Sequence, residues 1–223
     1  MQIILRGIEH CQDWGDDSRM SLLKPRGTYH HGNLEAALIG AATEMVRANG
    51  AEHLSLRAVA AEVGVSPSAA YHYYPDKDCL IFGVGKELFE NLADLQEAAL
   101  AQFPGKNAKA ARSRFRALGR AYFDWADSEP NLFRLMFGGF CSIDFADAQI
   151  KRQESRAWNL LCSCLDDLQE YGAIDPIVRP YGEILSWSTV HGATSLIVEG
   201  HIPKDSFESV LDGLELSLGI RQS

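Results

Sequence analysis

The chain has 223 residues and a mass of 24.6 kDa, and 46% of its residues are apolar and 23% charged. This composition excludes a disordered chain and an integral membrane protein, and it is sufficient for one or two folded domains. The formal net charge of −9 argues against a general nucleic-acid coat or a membrane-surface protein, since both usually depend on excess positive charge. The cysteines show no repeated paired spacing, so we expect a reducing compartment, the cytoplasm, rather than a disulfide framework.

The N-terminal segment shows no period typical of a helix or a strand. Its apolar run, Ile3 to Leu5, is too short for a secretory signal or a membrane span. We predict that residues 1–24 form a flexible tail, with an additional helix as the alternative. Residues 25–77 are then expected to form an N-terminal domain and residues 78–223 a C-terminal domain.

The rest of the chain carries helical periods and no strand-like alternation of useful length. An apolar stripe predicts a first helix from Asn33 to Gly50, and another predicts a long helix from about Asp76 to Pro104. Further helical periods cover residues 114–126, 131–137, 150–171, 181–199 and 206–218. We therefore predict an all-α protein with nine helices, in which an N-terminal three-helix domain precedes a C-terminal helical domain.

The predicted helix at residues 184–198 is unusual because it contains no charged residue and has apolar or small side chains on every face. A helix of this kind is buried on all sides, but this one is too short and too rich in hydroxyl groups to span a membrane. We predict that it packs against its own subunit on one side and a second subunit on the other. Gly192 would allow a close approach, and the apolar stripe from Phe207 to Leu218 would complete a two-fold four-helix interface.

Two short helices are predicted to follow the first helix, with a very short turn between them. Ser55 is a candidate N-cap for the first, which Gly64 ends. Ser66 is a candidate N-cap for the second, and Pro67 occupies its first turn, where the missing N–H group removes no hydrogen bond. This arrangement is typical of a helix-turn-helix unit, whose second helix enters the major groove of DNA.

The side chains of the second short helix suit contact with DNA. Small residues in its first turn allow close approach to base edges, and His72, one turn after Ser68, can hydrogen-bond a base. Tyr71 offers its hydroxyl group to a phosphate or its ring to a thymine methyl group, with packing in the protein core as an equal alternative. The residues of this helix that we predict to contact DNA are Ser66, Pro67, Ser68, Ala69, Tyr71, His72 and Tyr73.

Residues 64–77, GVSPSAAYHYYPDK, together with the preceding LRAVAAEV, resemble the recognition signature of the tetracycline-repressor (TetR) family of transcriptional regulators. The segments YHHGN at 29–33 and WSTVHG at 187–192 are similar to the group of these regulators whose C-terminal half is called the WHG domain. The resemblance implies a homodimer that binds a palindromic operator in double-stranded DNA, with a C-terminal half that senses a small molecule. It also implies that Arg57 reaches a guanine and that Lys77 contacts a phosphate.

The predicted DNA-binding domain is less basic than such domains usually are. Between residues 24 and 80, five Lys and Arg residues stand against six Asp and Glu residues, a net charge of −1. The positive charge of the site must therefore be concentrated in a few residues. These are Lys24, Arg26, His30 and His31 in the arm that precedes the first helix, and Arg57 and Lys77.

The sequence contains no motif typical of catalysis, such as a glycine-rich phosphate loop or a Cys-x-x-Cys pair, and we expect no cofactor, metal ion or membrane partner. Aromatic residues of the C-terminal half can line an effector pocket, although they can equally fill a plain core. The candidates are Tyr122, Phe137, Trp158, Trp187 and His191.

We predict that the chain is a ligand-responsive transcriptional regulator. Most proteins that it resembles are repressors. The alternative is a helical small-molecule-binding or enzymatic protein with a vestigial helix-turn-helix, which only the near-neutral charge of the N-terminal domain supports.

Overall fold

The computed structural model describes residues 34–138 and 155–220. These ranges form nine α-helices and two 3-10 helices, Ala51–His53 and Arg179–Tyr181, and contain no strand, so the predicted all-α class is confirmed. None of the described helices is long and apolar enough to cross a membrane. The predicted tail, the basic arm and the YHHGN segment lie outside the described residues. The α-helices are α1 (Leu34–Asn49), α2 (Leu56–Val63), α3 (Pro67–Tyr73), α4 (Lys77–Leu100), α5 (Ala108–Ser128), α6 (Pro130–Phe137), α7 (Arg156–Glu170), α8 (Gly182–Val198) and α9 (Ser206–Ser217).

The chain divides into two compact units whose members are not contiguous in sequence. Among the described residues, the first unit comprises residues 34–87 and 131–138, and the second comprises residues 88–130 and 155–220. One boundary falls inside α4, and another falls between the first two residues of α6. Nearly all of α6 therefore belongs with the N-terminal helices, although it follows α5 in the chain.

Small and apolar side chains form the core of the first unit. Leu38, Ala42 and Val46 are buried along one side of α1, because residues four apart share a helix face. Ala70, near the middle of α3, is also fully buried. Such short side chains let helix backbones approach closely, which holds α3 firmly within this unit.

The second unit packs around two apolar clusters. The first cluster draws residues from α5, α7 and α9, with Phe115, Leu165 and Leu214 among them. The second cluster includes Phe123 and Phe207, whose rings are stacked with their centroids 4.1 Å apart. These clusters hold α5 against both α7 and α9.

A row of arginines on α5 adds charged contacts to α9. Arg112, Arg116 and Arg120 recur every four residues and bind acidic side chains of α9. In the middle of the row, the Glu215 side chain is only 4% exposed. Its carboxylate accepts hydrogen bonds from Nε and Nη2 of Arg112 and from Nη1 of Arg116, at 2.8 to 2.9 Å. These bonds compensate the desolvation of the carboxylate, which is costly when a buried charge is left without partners.

The cysteines differ from the sequence expectation at one position. Cys162 and Cys164 are thiols on α7, and burial raises the pKa of the Cys164 thiol to about 12, so that it stays protonated at neutral pH. Cys79 is disulfide-bonded. A count of cysteines did not predict this bond because it carries no information about which sulfur atoms the fold brings together. In the described ranges, no group of three or more His, Cys, Asp or Glu residues is arranged to hold a metal ion.

Candidate nucleic-acid interface

Local hydrogen bonds fix both ends of the turn between α2 and α3. Gly64 has a left-handed backbone with a φ of 76°, a conformation that strains residues with a Cβ atom. The N–H groups of Gly64 and Val65 donate back to carbonyls in the last turns of α2. Ser66 then begins α3, and its Oγ accepts a hydrogen bond of 3.2 Å from the N–H of Ala69. The structure thus contains the predicted helix-turn-helix, with its turn specified by the sequence itself.

The predicted contact residues of α3 lie on its outer side and its flanks. Ala69 and Tyr73 are half-buried, whereas Ala70, which was not among the predicted contacts, is fully buried. Tyr71 is 43% exposed, so part of its side chain is open to solvent and part is packed. The exposed predicted residues of α3 and its N-cap are Ser66, Pro67, Ser68, Tyr71 and His72. Because they occupy the first turn and the positions one turn later, α3 presents a continuous polar side to solvent.

Arg57 is exposed in the first turn of α2, two residues after the capping residue Ser55. The Oγ of Ser55 accepts a hydrogen bond of 3.2 Å from the N–H of Ala58, which fixes the start of the helix. Within the described residues, the Arg57 guanidinium has no hydrogen-bond or ion-pair partner. Its five N–H donors are therefore available to a polar ligand, as the family resemblance implies.

Lys77 makes a contact that the sequence did not predict. Its Nζ donates a 3.2 Å hydrogen bond to the backbone carbonyl of Glu52, which lies in the 3-10 helix between α1 and α2. Lys77 is the first residue of α4, so this bond ties the start of α4 to the entrance of the helix-turn-helix. An ammonium group has three donors, and the bond to Glu52 leaves two for a phosphate.

The first unit has little positive charge around this surface. Residues 34–87 contain four Lys and Arg residues and seven Asp and Glu residues. One of the four cations, Arg47, is paired with Glu44 on the same helix. Attraction to phosphates must therefore come from a few positions rather than from a basic face.

Three of the five predicted pocket residues come together in the second unit. The hydroxyl group of Tyr122 and Nδ1 of His191 are hydrogen-bonded at 2.8 Å. Trp187 stacks on the His191 ring with centroids 5.4 Å apart and meets the Tyr122 ring edge-on at 5.7 Å. Burial lowers the pKa of His191 and raises the pKa of Tyr122, because a desolvated site disfavours the charged form of each group. The cluster is a neutral hydrogen-bonding pair covered by an indole ring.

The other two predicted pocket residues have different surroundings. Phe137 belongs to the first unit, where its ring centroid lies 5.2 Å from that of Phe133. Trp158 packs against the cluster that contains Phe115 and Leu165. The larger of two described cavities, of about 520 Å³, lies in the second unit next to Phe103 and Tyr171. Neither cavity is lined by any of the five predicted pocket residues.

Two family models match the chain, one over each part of the structure. Residues 38–84 match the model for bacterial regulatory proteins of the tetR family, and residues 115–214 match the tetracyclin repressor-like C-terminal domain. The chain belongs to the TetR family of transcriptional regulators. The N-terminal match of this TetR-family chain includes all of α2 and α3 and the start of α4, and it contains the nine residues that we predict to contact DNA. Its finer resemblance to the WHG group stays a prediction.

Solved structures share the fold of this TetR-family chain over most of its length. A protein with unknown function from Rhodococcus sp. RHA1 is 26% identical, with a TM-score of 0.70, and the match covers 88% of this chain and 100% of that one. A TetR family transcription regulator from Marinobacter aquaeolei VT8 is 21% identical, with a TM-score of 0.60 and coverage of 85% and 97%. FadR from Bacillus subtilis in complex with stearoyl-CoA is 17% identical, with a TM-score of 0.64 and coverage of 83% and 99%. No curated protein matches the chain in sequence.

Proposed function

We propose that this chain is a homodimeric repressor that binds an inverted-repeat operator and releases it when a small molecule binds the second unit. The observation that carries the proposal is the exposed polar side of α3, which the turn at Gly64 holds next to α2. A major groove about 12 Å wide admits a helix of this size. Two copies of α3 in a two-fold dimer would enter successive grooves roughly 34 Å apart, which makes an inverted repeat the matching operator.

The nine predicted contact residues divide by chemistry into two groups. Arg57, Ser68 and His72 carry the donors and acceptors that can distinguish base edges, and we assign sequence recognition to them. The other six are small enough for close approach or offer a hydroxyl, an ammonium or a helix N-terminus to phosphates, and they fix the position of α3. These are Ser66, Pro67, Ala69, Tyr71, Tyr73 and Lys77.

The outward side of α8 supports a homodimer. Ile184 is 53% exposed and Leu196 46% exposed, although both lie on a helix with no charge between residues 184 and 198. Between them, a Cβ atom built at Gly192 would meet no atom of the chain within 4 Å, so packing within one subunit does not require this glycine. Leu216 on α9 is 81% exposed and adds to the apolar surface. A second copy would cover both helices with the same side of its own α8 and α9.

The cluster of Tyr122, Trp187 and His191 supports an effector site within the second unit. Ser186 and Thr194, also on α8, are buried with hydroxyl oxygens that have no hydrogen-bond partner. Buried polar groups without partners are rare in native structures and often mark the place of a water or a ligand. We propose a mostly apolar effector with at least one hydrogen-bonding group, whose binding favours a conformation with lower affinity for DNA.

This function needs no catalytic residue, and we propose none. A protein that binds chromosomal DNA in bacteria acts in the cytoplasm, which is where we place it. The helix-turn-helix would then be functional rather than vestigial, and the chain would not be an enzyme.

Binding of DNA by the purified, effector-free protein tests the proposal. Operator sequences are selected from a random pool, and the affinities for the selected and a scrambled duplex are compared across a salt series. We expect an inverted repeat, and an affinity for it at least about 10³-fold higher than for the scrambled duplex. Equal affinities at all salt concentrations, or no binding at low salt, would favour the alternative of a small-molecule-binding protein with a vestigial helix-turn-helix.

The effector site is tested separately, with DNA release as the measurement. Stearoyl-CoA, the ligand in the FadR complex, is the first probe because it joins an apolar chain to polar groups. An active probe should release the operator from the wild type and fail to release it from His191→Phe at the same concentration. If every active probe acts equally on the wild type and on His191→Phe, the effector binds elsewhere.

A further inference from the structure

A residue far along the chain completes the first helix of the DNA-binding unit. The side-chain Nδ2 of Asn131, in the first turn of α6, donates a 3.0 Å hydrogen bond to the backbone carbonyl of Arg47, near the end of α1. The two residues are 84 positions apart and belong to the same compact unit. Helix α6 is therefore bonded directly to α1.

The bond reaches a carbonyl group in the last turn of α1. The last four carbonyls of any α-helix have no intrahelical N–H donor and need caps, water or side chains. In α1 the carbonyl of Val46 accepts from the N–H of Gly50 at 2.8 Å, and the next carbonyl, that of Arg47, accepts from Asn131. The final turn of α1 is thus held partly by Gly50, which follows the helix in the chain, and partly by α6.

A second side chain orients the amide of Asn131. Nη1 of Arg134, one turn later on α6, donates a 3.1 Å hydrogen bond to Oδ1 of Asn131. An amide group has an acceptor side and a donor side. Because the guanidinium of Arg134 can only donate, it fixes the oxygen on its own side and directs the NH₂ group to Arg47.

The end of α1 determines where the helix-turn-helix begins. Only residues 50–55, which include the 3-10 helix Ala51–His53, separate α1 from α2, and Gly50 at the start of this segment has a φ of 83°, a conformation that glycine adopts without strain. Arg57 lies in the first turn of α2, so a displacement of the last turn of α1 moves its guanidinium. Contacts with base edges tolerate displacements of only about 0.5 Å.

We propose that Asn131, oriented by Arg134, is a positioning residue for DNA recognition. It touches no DNA itself and acts by fixing the end of α1 and, through it, the start of α2. This inference rests on the proposed DNA-binding function. If it holds, the DNA-recognition unit is discontinuous in sequence, and residues 34–87 require α6 for their full affinity for the operator.

A double-mutant cycle in the full-length protein tests the proposal. The variants are Asn131→Ala, Arg134→Met and the double variant, and Asn159→Ala on α7 is the matched control, since Asn159 is exposed and lies in the second unit. Affinities are measured for the selected operator and for a scrambled duplex. Amide hydrogen exchange is measured over residues 46–58.

We expect Asn131→Ala to lower operator affinity about 5- to 10-fold, which corresponds to one lost hydrogen bond, and to change the affinity for scrambled DNA less than 2-fold. Exchange over residues 46–58 should become faster. Arg134→Met should have a smaller effect in the same direction and none in the Asn131→Ala background, because it acts through the same amide. The control should match the wild type.

Three results would overturn the inference but not the proposed function. Unchanged operator affinity in Asn131→Ala is one, and additive effects of the two substitutions are another. A fall of operator and scrambled affinities by the same factor, together with the melting temperature, would show a purely structural role. A wild type that does not distinguish operator from scrambled DNA would overturn the proposed function itself and the inference with it.

Discussion

The recognition motif and helix α8 place polar and apolar groups in opposite ways. In the motif, Arg57, Ser68 and His72 are exposed while Ala70 is fully buried. In α8, the hydroxyl groups of Ser186 and Thr194 are buried without partners, while apolar side chains such as Leu196 face outward. A water-facing surface favours the first distribution and opposes the second. The motif is therefore complete as the surface of a single subunit, whereas α8 requires something to cover it.

The difference indicates what kind of partner each surface accepts. The exposed side of α3 remains hydrated until it meets a polar ligand of regular shape, and its affinity depends on a few well-placed donors and acceptors. The outward side of α8 gains free energy from any matching apolar surface that excludes water. Substitutions should therefore affect association at α8 strongly and broadly, and DNA binding at the motif in smaller, sequence-dependent steps.

Gly192→Glu gives the largest effect that we predict. The wild type should have twice the mass of the 24.6 kDa chain in light scattering at micromolar concentration, and the variant should be a monomer. A carboxylate buried without a partner costs several kcal/mol in each subunit. Nothing within 4 Å of the added Cβ atom opposes the substitution in the single chain, and losing a glycine inside a helix favours folding, so the monomer should stay folded.

Gly40→Glu is the matched control for this prediction. Gly40 also lies on a helix and also has open space around a Cβ atom, but it belongs to α1 in the first unit. This variant should remain a dimer. A monomeric wild type, or a dimeric Gly192→Glu variant, would show that α8 exposes apolar side chains for a reason other than dimerisation.

Glu215→Gln should cause the largest loss of stability within one subunit. The substitution leaves Arg112 and Arg116 facing an amide in place of the carboxylate that binds both. Breaking a buried ion pair costs about 3–5 kcal/mol, and we expect about 2–4 kcal/mol here because the two arginine side chains are partly exposed.

Urea unfolding measures this loss, with Glu208→Gln as the control. The Glu208 side chain is 54% exposed and binds Arg116 and Arg120 at the surface, so its substitution should cost less than about 1 kcal/mol. Equal losses in the two variants would mean that burial does not set the strength of the α5–α9 contacts.

The recognition motif was predictable from sequence because its determinants are local. Ser55, Gly64, Ser66 and Pro67 act on backbone groups within a few residues, and each occupies its expected position in the structure. The start of α9 at Ser206 likewise agrees with the apolar period. The end of α4 was predicted less accurately, because the helix stops at Leu100, four residues before Pro104, where its end was expected.

The contacts that were missed all join residues distant in sequence. Lys77 bonds to a backbone carbonyl of Glu52, and Asn131 bonds to a backbone carbonyl of Arg47. Every residue has a carbonyl group, so no residue type marks these acceptors in a sequence. The ion pairs of Glu215 could be found only with the register of α5 against α9, which the sequence pattern leaves undetermined.

Substitutions of Arg57 and His72 should lower the affinity for the operator and reduce the preference for it over other DNA sequences. Arg57→Ala and His72→Ala should each cost about 1–3 kcal/mol at particular base pairs and relax the preference there. Binding to a panel of single-base operator variants measures this effect. If each substitution weakens binding to all variants alike, the side chain contacts phosphate rather than bases.

Lys77 gives the smallest expected effect, and its two contacts can be separated by choice of substitution. Lys77→Met removes both the charge and the donor to the Glu52 carbonyl, so it should lower stability by about 0.5–1 kcal/mol and reduce the salt slope by about one unit per subunit. Lys77→Gln removes the charge but keeps an amide donor, and it should change the salt slope equally with a smaller loss of stability. Lys77→Arg should retain both properties. All three should keep the base preference of the wild type, since a phosphate contact carries no sequence information. An unchanged salt slope in Lys77→Met would show that Lys77 serves only the bond to Glu52.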